Sequence, residues 1–440
     1  MAESNNQVVV GLDIGTTKIC AIVGTRNENG KIHILGIGKS PSLGGVREGM
    51  VQNFAKTAEA IKKAVADATK MSNHSIDAVY VGIAGRHIKS FTQHFSQYRK
   101  DPNEEITSDE LEQMRLNMYR LNTGLGNKII HVLPQEFEVD GNKSDDPEGM
   151  AGTELEVYYH IITGQISAAE NIKRCVERCH IQVEDIVVEP IASAKSVLTE
   201  DEMKAGVAIL DIGGGTSDLA IFHDGRIRHT KVIPIGGQLI TQDIMEAFMV
   251  MEEHAENMKV KYGNAFPDST KPNEVIVVPG INGRAPKQVS TRNLSKVINA
   301  RLMELFSLVD QEIRSSQYMN KLTAGLVVTG GGAELKNIVQ ILEFCTALDV
   351  KIGYPNQHIT KGMVSEVKSP MYATGLGLVM YGLEKLDPLQ IPQPTATNTQ
   401  NKRVAGTKDA QNPIITRTKN FFGSFMEYLK EEDSHTDDFK

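Results

Sequence analysis

Residues 207–218 read VAILDIGGGTSD, and residues 8–18 read VVVGLDIGTTK. In each case an apolar run, Gly206–Leu210 or Val8–Leu12, stops at an Asp-Ile-Gly turn, and a second apolar run follows, Leu219–Phe222 or Ile19–Val23. A buried strand, a glycine turn and a hairpin partner explain that order. The repetition implies two similar α/β halves facing each other. The turns also have a chemical use. A carboxylate at a strand end can hold a metal-bound water, and glycines let backbone N–H groups approach phosphate oxygens without interference from a Cβ. Threonine hydroxyls add donors, so two such turns from opposite halves would grip a triphosphate from both sides. A third turn, Gly330-Gly331-Gly332-Ala333, follows the strand Leu326–Thr329 and precedes an expected helix over Leu335–Leu348. One glycine cluster reads most simply as a sharp hairpin; three, each ending an apolar strand, favour a nucleotide site. The chain contains no G-x-x-x-x-G-K-[ST], which excludes a P-loop enzyme.

Outward from these turns, Ile32–Ile37 reads as a strand. Phe54, Ala58, Ile61, Val65 and Ala68 recur at helical spacing within Asn53–Met71. Val79–Ile83 returns as a strand and stops at Gly85. From Arg86 to about Thr163 the texture changes. A polar stretch leads to a helix, Ser108–Leu121, then strands Lys128–Leu133 and Glu136–Val139, a turn-rich segment and the strand Glu154–Ile162. One helix among several strands, without nucleotide turns, predicts a small inserted α+β domain. A helix, Ser167–His180, and a strand, Ile186–Val188, come next. The expected organisation is therefore a first half of residues 1–85 with 164–205, an insert of 86–163 and a second half of 206–386. Residues 387–413, rich in Pro, Thr, Asn and Gln, read as a disordered linker before a terminal helix over 414–432.

The chain has 440 residues, enough for two or three domains, and a formal charge of −8, which speaks against a general nucleic-acid binder. Its four cysteines, Cys20, Cys175, Cys179 and Cys345, complete no zinc set and read as thiols of a reducing compartment. The opening MAESNNQVVVGLD lacks a signal-peptide layout, and no apolar run reaches the length of a spanning helix, so membrane contact is expected to be peripheral.

GLDIGTTK resembles the first phosphate motif of the actin/Hsp70/sugar-kinase superfamily, ILDIGGGTSD the second and VVTGGGAEL the adenosine motif. Within it, GIAGRHIKS, HVLPQEFEVDG, CVERCHIQVEDIVVEPIASAKSVLTEDE, HTKVIPIGGQLITQDI and VKYG are similar to the FtsA family, over essentially Val8–Gly382. The resemblance implies an actin-like fold of duplicated ribonuclease-H-type halves that binds ATP and Mg²⁺. Asp13 and Asp211 would organise the magnesium shell through water. Gly15, Thr16, Thr17, Lys18, Gly213, Gly214, Gly215 and Thr216 would cradle phosphates. Gly330, Gly331, Gly332 and Ala333 would pack beside adenosine, and Glu256 and Lys259 would flank ribose and base. Glu189, at the start of the connecting helix, would orient water; equally, it fits an acid stabilised by the helix dipole. One departure is the helix before VKYG, where the family usually carries a charged Glu/Lys run and this chain has Met251-Glu252-Glu253-His254-Ala255-Glu256-Asn257-Met258. The family further implies a division-site scaffold on the inner membrane face, with ATP as a conformational and polymerisation switch and at most slow hydrolysis. Its partners would be other division proteins, further copies of itself through actin-like contacts and the insert (subdomain 1C), and the C-terminal peptide of FtsZ. The peptide would meet the subdomain around Val275–Arg314, where Arg292, Lys296 and Arg301 lie on an expected helix. The same charges also fit a solvated helix face.

On a helical wheel, Phe421, Phe422, Phe425 and Leu429 fall on one apolar arc of Ile414–Glu432, with Arg417 and Lys419 at its edges. An interfacial membrane helix fits this stripe; a helix docked on the globular domains, or on a partner, is the alternative. Its end is acidic (Glu427, Glu431, Glu432, Asp433), so insertion of apolar side chains should outweigh attraction to anionic lipid. Two other functions remain open: an ATP-hydrolysing or phosphotransferring enzyme of the superfamily, and a pilus-assembly actin homologue.

Overall fold

The computed structural model describes residues 7–386, except 28–29, 272, 281–283, 356–358 and 361–364. The described residues belong to one compact unit, and residues 393–440 lie outside them.

The chain opens with the meander β1 (Val8–Ile14), β2 (Lys18–Arg26) and β3 (Ile32–Pro41), followed by a two-residue pair, β4 (Val46–Arg47) and β5 (Met50–Val51). Helix α1 (Phe54–Ser72) starts where the Asn53 side chain accepts from Lys56 N and ends at Asn73 in the left-handed conformation. It leads to β6 (Ala78–Ile83). The insert then supplies β7 (Lys89–Tyr98), α2 (Ser108–Met118), β8 (Asn127–Val139), β9 (Asn142–Ser144) and β10 (Glu154–Gln165), whose strands form a separate antiparallel sheet in the order β7-β10-β8-β9. The first half resumes with α3 (Ile166–Glu177), β11 (Gln182–Val188), α4 (Glu189–Val197) and α5 (Glu200–Ala205). Its sheet runs β11-β6-β1-β2-β3, antiparallel on the β3 side of β1 and parallel on the other.

The second half repeats that plan. Strands β12 (Val207–Ile212), β13 (Ser217–His223) and β14 (Arg226–Ile233) form the antiparallel meander. Helices α6 (Gly237–Phe248) and α7 (Glu252–Tyr262), the hairpin β15 (Val275–Val278) and β16 (Lys287–Ser290), and the long helix α8 (Thr291–Ser315) follow. Strand β17 (Leu326–Thr329), helix α9 (Ile338–Thr346) and strand β18 (Val350–Ile352) complete the sheet β14-β13-β12-β17-β18. The last described helix, α10 (Ala373–Lys385), crosses back to the first half. Its Leu376, Val379 and Leu383 cover one face of the first sheet against Val9, Ile22 and Tyr80, while Ile61, Ala64, Ile172 and Val176 of α1 and α3 cover the other. Both sheets are therefore buried on two sides, which is why their strands read as continuous apolar runs.

Three expectations need correction. Lys128–Leu133 and Glu136–Val139 are one strand, β8, which passes through Pro134. Proline is tolerated there because β9 pairs only with Phe137–Val139, and because the ladder to β10 is bulged at this point, Tyr158 facing Glu136 and Tyr159 facing Pro134. The polar stretch after Arg86 contains β7, which pairs only with β10. Helix α9 begins at Ile338, three residues late, because a 3-10 turn over Gly331–Glu334 comes first.

Candidate nucleotide site

The turns β1–β2 and β12–β13 are built alike. Gly15 N donates to Lys18 O at 3.0 Å, and Gly213 N donates to Thr216 O at 2.9 Å. The two turns also touch. A Cβ on Gly214 would lie 2.6 Å from Thr17 Cγ2, and one on Gly215 would press on Thr16 Oγ1 and lie 2.9 Å from Glu48 Cα. Bare backbone at Gly214 and Gly215 is what lets the two halves meet. Gly49 N donates to Thr16 Oγ1 at 3.2 Å, so the segment after β4 seats the first turn.

Asp13 and Asp211 end their strands, both buried. Asp211 Oδ2 accepts from Ser193 Oγ (2.5 Å) on α4 and from Thr374 Oγ1 (3.1 Å) on α10. Asp218, which sequence reasoning missed, faces Asp211 directly across the β12–β13 hairpin. It accepts from Thr216 Oγ1 at 3.1 Å through Oδ2, while its buried Oδ1 has no partner. Glu189 opens α4 beside Gly82 of β6. Four acids thus crowd one buried region. Burial, then Asp211, pushes Asp218 up to about 8. Burial outweighs the Lys18 ammonium and, with Asp211 adding to it, lifts Asp13 to about 6. Burial, then Asp13, Asp218 and Asp211, raises Glu189 well above the usual carboxylate range. Asp211 also rises through burial, held back by its two hydroxyl donors and by Lys18.

Lys18 is held by the segment before α10: Nζ donates to Met371 O at 2.8 Å and stands 4.0 Å from the Tyr372 ring centroid. Gly330, at φ +82° and ψ 174°, occupies a region essentially reserved for glycine, and a Cβ there would strike Asp211 Oδ1. Gly331 lies beside Met371, Gly332 against Ile212, and Ala333 is buried, so this third turn backs the second. Glu256 and Lys259 also reach the site. Lys259 Nζ donates to Glu256 Oε2 (2.7 Å), Thr241 Oγ1 (2.7 Å) and Gly237 O (2.8 Å). Gly237 N in turn donates to Gly213 O (2.9 Å), and Gln238 N to Gly214 O (2.8 Å). The start of α6 is thus stitched to the second phosphate turn. Its signal in the sequence is Ile235-Gly236-Gly237, a paired glycine between a strand and a helix.

This arrangement suits a magnesium-bound polyphosphate. The unpartnered Asp218 Oδ1 and the raised acids call for a cation, and Gly213–Gly215 present backbone to an anion. Among the described residues no group of three or more His, Cys, Asp or Glu side chains is placed to hold a metal ion directly.

The other predicted residues lie elsewhere. Arg292, Lys296 and Arg301 share α8. Arg301 grips Asp243 of α6 in a bidentate pair (Nε–Oδ2 2.7 Å, Nη2–Oδ1 2.8 Å) and also meets Glu304; Arg292 pairs with Asp268 at 2.8 Å, and Lys296 is exposed. Phe421, Phe422, Phe425 and Leu429 fall outside the described residues.

Comparison with known proteins decides the family. The model of the cell division protein FtsA matches residues 208–377, and that of the SHS2 domain inserted in FtsA matches 85–163. The FtsA of Pseudomonas aeruginosa is 38% identical over 382 residues, covering 87% of this chain and 90% of the relative. The chain belongs to the FtsA family. The FtsA of Escherichia coli K12 is 34% identical over 389 residues (87% and 91% covered), and that of Borreliella burgdorferi 32% identical over 420 (95% and 98%). A solved structure of a PilM–PilN type IV pilus biogenesis complex superposes with a TM-score of 0.62 at 16% identity, over 85% of this chain and 98% of that one, which is a likeness of fold. This FtsA-family chain is therefore a cell division protein with an actin-like fold and an SHS2 insert.

Proposed function

We propose that the protein is an ATP-binding scaffold that assembles on the cytoplasmic face of the cell membrane and tethers the FtsZ ring at the division site. The observation that supports it best is the pair of touching phosphate turns beside the buried Asp13, Asp211 and Asp218 and the half-buried Glu189, an arrangement suited to Mg-ATP. Asp13 and Asp211 would take the metal's water shell, with Asp218 beside them, and Gly213–Thr216 and Gly15–Lys18 the phosphates. Bound Mg²⁺ would supply charge neutralisation of the phosphates and of these acids. Glu189, raised by burial and by the neighbouring acids, would stand beside the phosphates to orient water, with ATP acting mainly as a switch. No described helix is long and apolar enough to cross a membrane; the apolar arc of Phe421, Phe422, Phe425 and Leu429 would provide peripheral attachment. One helix binds reversibly, and a filament of many copies binds firmly through effective concentration.

The test is sedimentation with liposomes of inner-membrane composition, with and without Mg-ATP and with and without residues 414–440. ATP-dependent cosedimentation that requires the tail supports the scaffold. Tail-independent binding, or none, overturns it.

A further inference from the structure

Strand β14 is an edge strand of the second-half sheet, so one row of its carbonyls has no ladder partner within that sheet. The insert covers that edge with side chains instead of a strand. Gln135 sits at the β8 bulge beside Pro134, and its Nε2 donates to both Ile227 O and Arg228 O at 3.1 Å. Ser90 Oγ of β7 donates to Thr230 O at 3.0 Å, and His160 Nε2 of β10 lies 3.0 Å from Thr230 Oγ1. In return, Arg226 Nη1 and Arg228 Nη1 both donate to Gln135 O, at 2.9 and 3.0 Å. A cavity of about 360 Å³ opens along this seam, but its two arginines are already spent on carbonyls of the insert and on Asp224, which marks it as structural.

The far end of β14 enters the nucleotide site. Ile235, just past the strand, accepts from Ser217 Oγ of the second phosphate turn at 2.7 Å, and Gly236 and Gly237 follow at once. One strand therefore carries the insert's grip at Ile227–Thr230 and the phosphate turn's neighbour at its other end. The insert itself grows from the first half, between β6 and α3. It thus bridges the two halves by a route separate from α4 and α10. Because the contacts are side chains on an edge, the seam can part without breaking the β8–β10 ladder.

We propose that this seam is a latch that couples the nucleotide cleft to the inserted domain: closed, it holds the two phosphate turns together, and open, it frees the insert while loosening the cleft. The inference rests on the reading of the cleft as an ATP site. Linkage makes the coupling reciprocal, so ATP must tighten the seam by the factor with which the seam tightens ATP.

The experiment uses the full chain with Gln135→Met, which keeps the side chain's length and removes its donors, and with the milder Ser90→Ala. Hydrogen exchange is followed by mass spectrometry, and Mg-ATP affinity by titration. In the wild type, Mg-ATP should slow exchange in residues 226–230 and around Gln135. Gln135→Met should speed it there while β10 amides stay protected, and should weaken Mg-ATP binding about fivefold or more, the lower end of ordinary coupling. Ser90→Ala should shift both in the same direction by less. Faster seam exchange with unchanged ATP affinity, or unchanged exchange in both variants, overturns the latch. Loss of β10 protection together with the seam would make the contacts part of one folding unit and also overturn it. A wild type that binds no Mg-ATP at all refutes the cleft assignment first, and the coupling with it; normal binding with no change at the seam refutes only the latch.

Discussion

Replacing Asp218 by asparagine should stabilise the nucleotide-free protein, and by an amount that grows with pH. The carboxyl faces Asp211 across the hairpin, is buried, and has one oxygen without a donor. Burial and Asp211 move its pKa from 3.8 up to about 8, so the folded chain holds a proton that the unfolded chain has already lost. Folded-state protonation favours folding fully below about pH 4 and costs stability as pH rises through the window from about 4 to 8. At about 1.4 kcal/mol per pH unit, the wild type should lose roughly 6 kcal/mol across that window from this group. Asparagine keeps the Thr216 bond and carries no charge, so it should lose none. Thermal or urea unfolding at pH 5, 7 and 9 should show the mutant ahead by about 1–2 kcal/mol at pH 5 and by about 4–6 kcal/mol at pH 9. Mg-ATP should narrow the gap at high pH, since the cation compensates the wild-type carboxylate and not the amide. A stability difference that stays flat from pH 5 to 9, or a mutant less stable at pH 9, refutes the account of the acid cluster.

Gly330→Ala combines a glycine-only backbone region with a collision at Asp211; it should cost about 1–3 kcal/mol from the backbone alone, read by urea unfolding, and abolish Mg-ATP binding by equilibrium dialysis. Lys296→Glu, on an exposed side chain, should weaken binding of an FtsZ C-terminal peptide in a salt-sensitive way by fluorescence anisotropy. Arg301→Glu is expected to lower stability first, because it places a carboxylate against Asp243. Phe422→Glu should release the protein from liposomes at all salt concentrations, whereas Arg417→Ala with Lys419→Ala removes only screened attraction, about 1 kcal/mol per residue, and weakens binding in part.

The nucleotide turns were legible because local chemistry dictates them: glycine, threonine and aspartate have to follow one another where strand meets phosphate. The core strands were legible for a related reason, since burial on both faces leaves nothing but apolar residues. Helix α1 showed itself through the helical spacing of Phe54, Ala58, Ile61, Val65 and Ala68. Strand β7 did not, because none of its residues is fully buried and it pairs on one side only, so no apolar run marks it. Asp218 was hidden for another reason. It reads as the last residue of the turn before the apolar run Leu219–Phe222, and its meaning comes from Glu189, Asp211 and Asp13, which the fold gathers from both halves. The partners of Lys18 lie some 350 residues away at Met371 and Tyr372, and the Arg301–Asp243 pair spans two helices; no window of sequence contains either.

The covering of the first sheet by α10 has a consequence for the protein's birth on the ribosome. Val9 and Ile22 are among the first core residues to be made, yet Leu376, Val379 and Leu383, which shield them, come roughly 360 residues later. At about 5–20 residues per second the wait is on the order of 20–70 s. Throughout it, that apolar face of the nascent first half has only part of its native cover, from Ile191 and Ala192 of α4. The second half and the insert, whose sheets close on nearer elements, can finish before it. The first half is thus the last to be completed, and it should need a holding chaperone until α10 emerges.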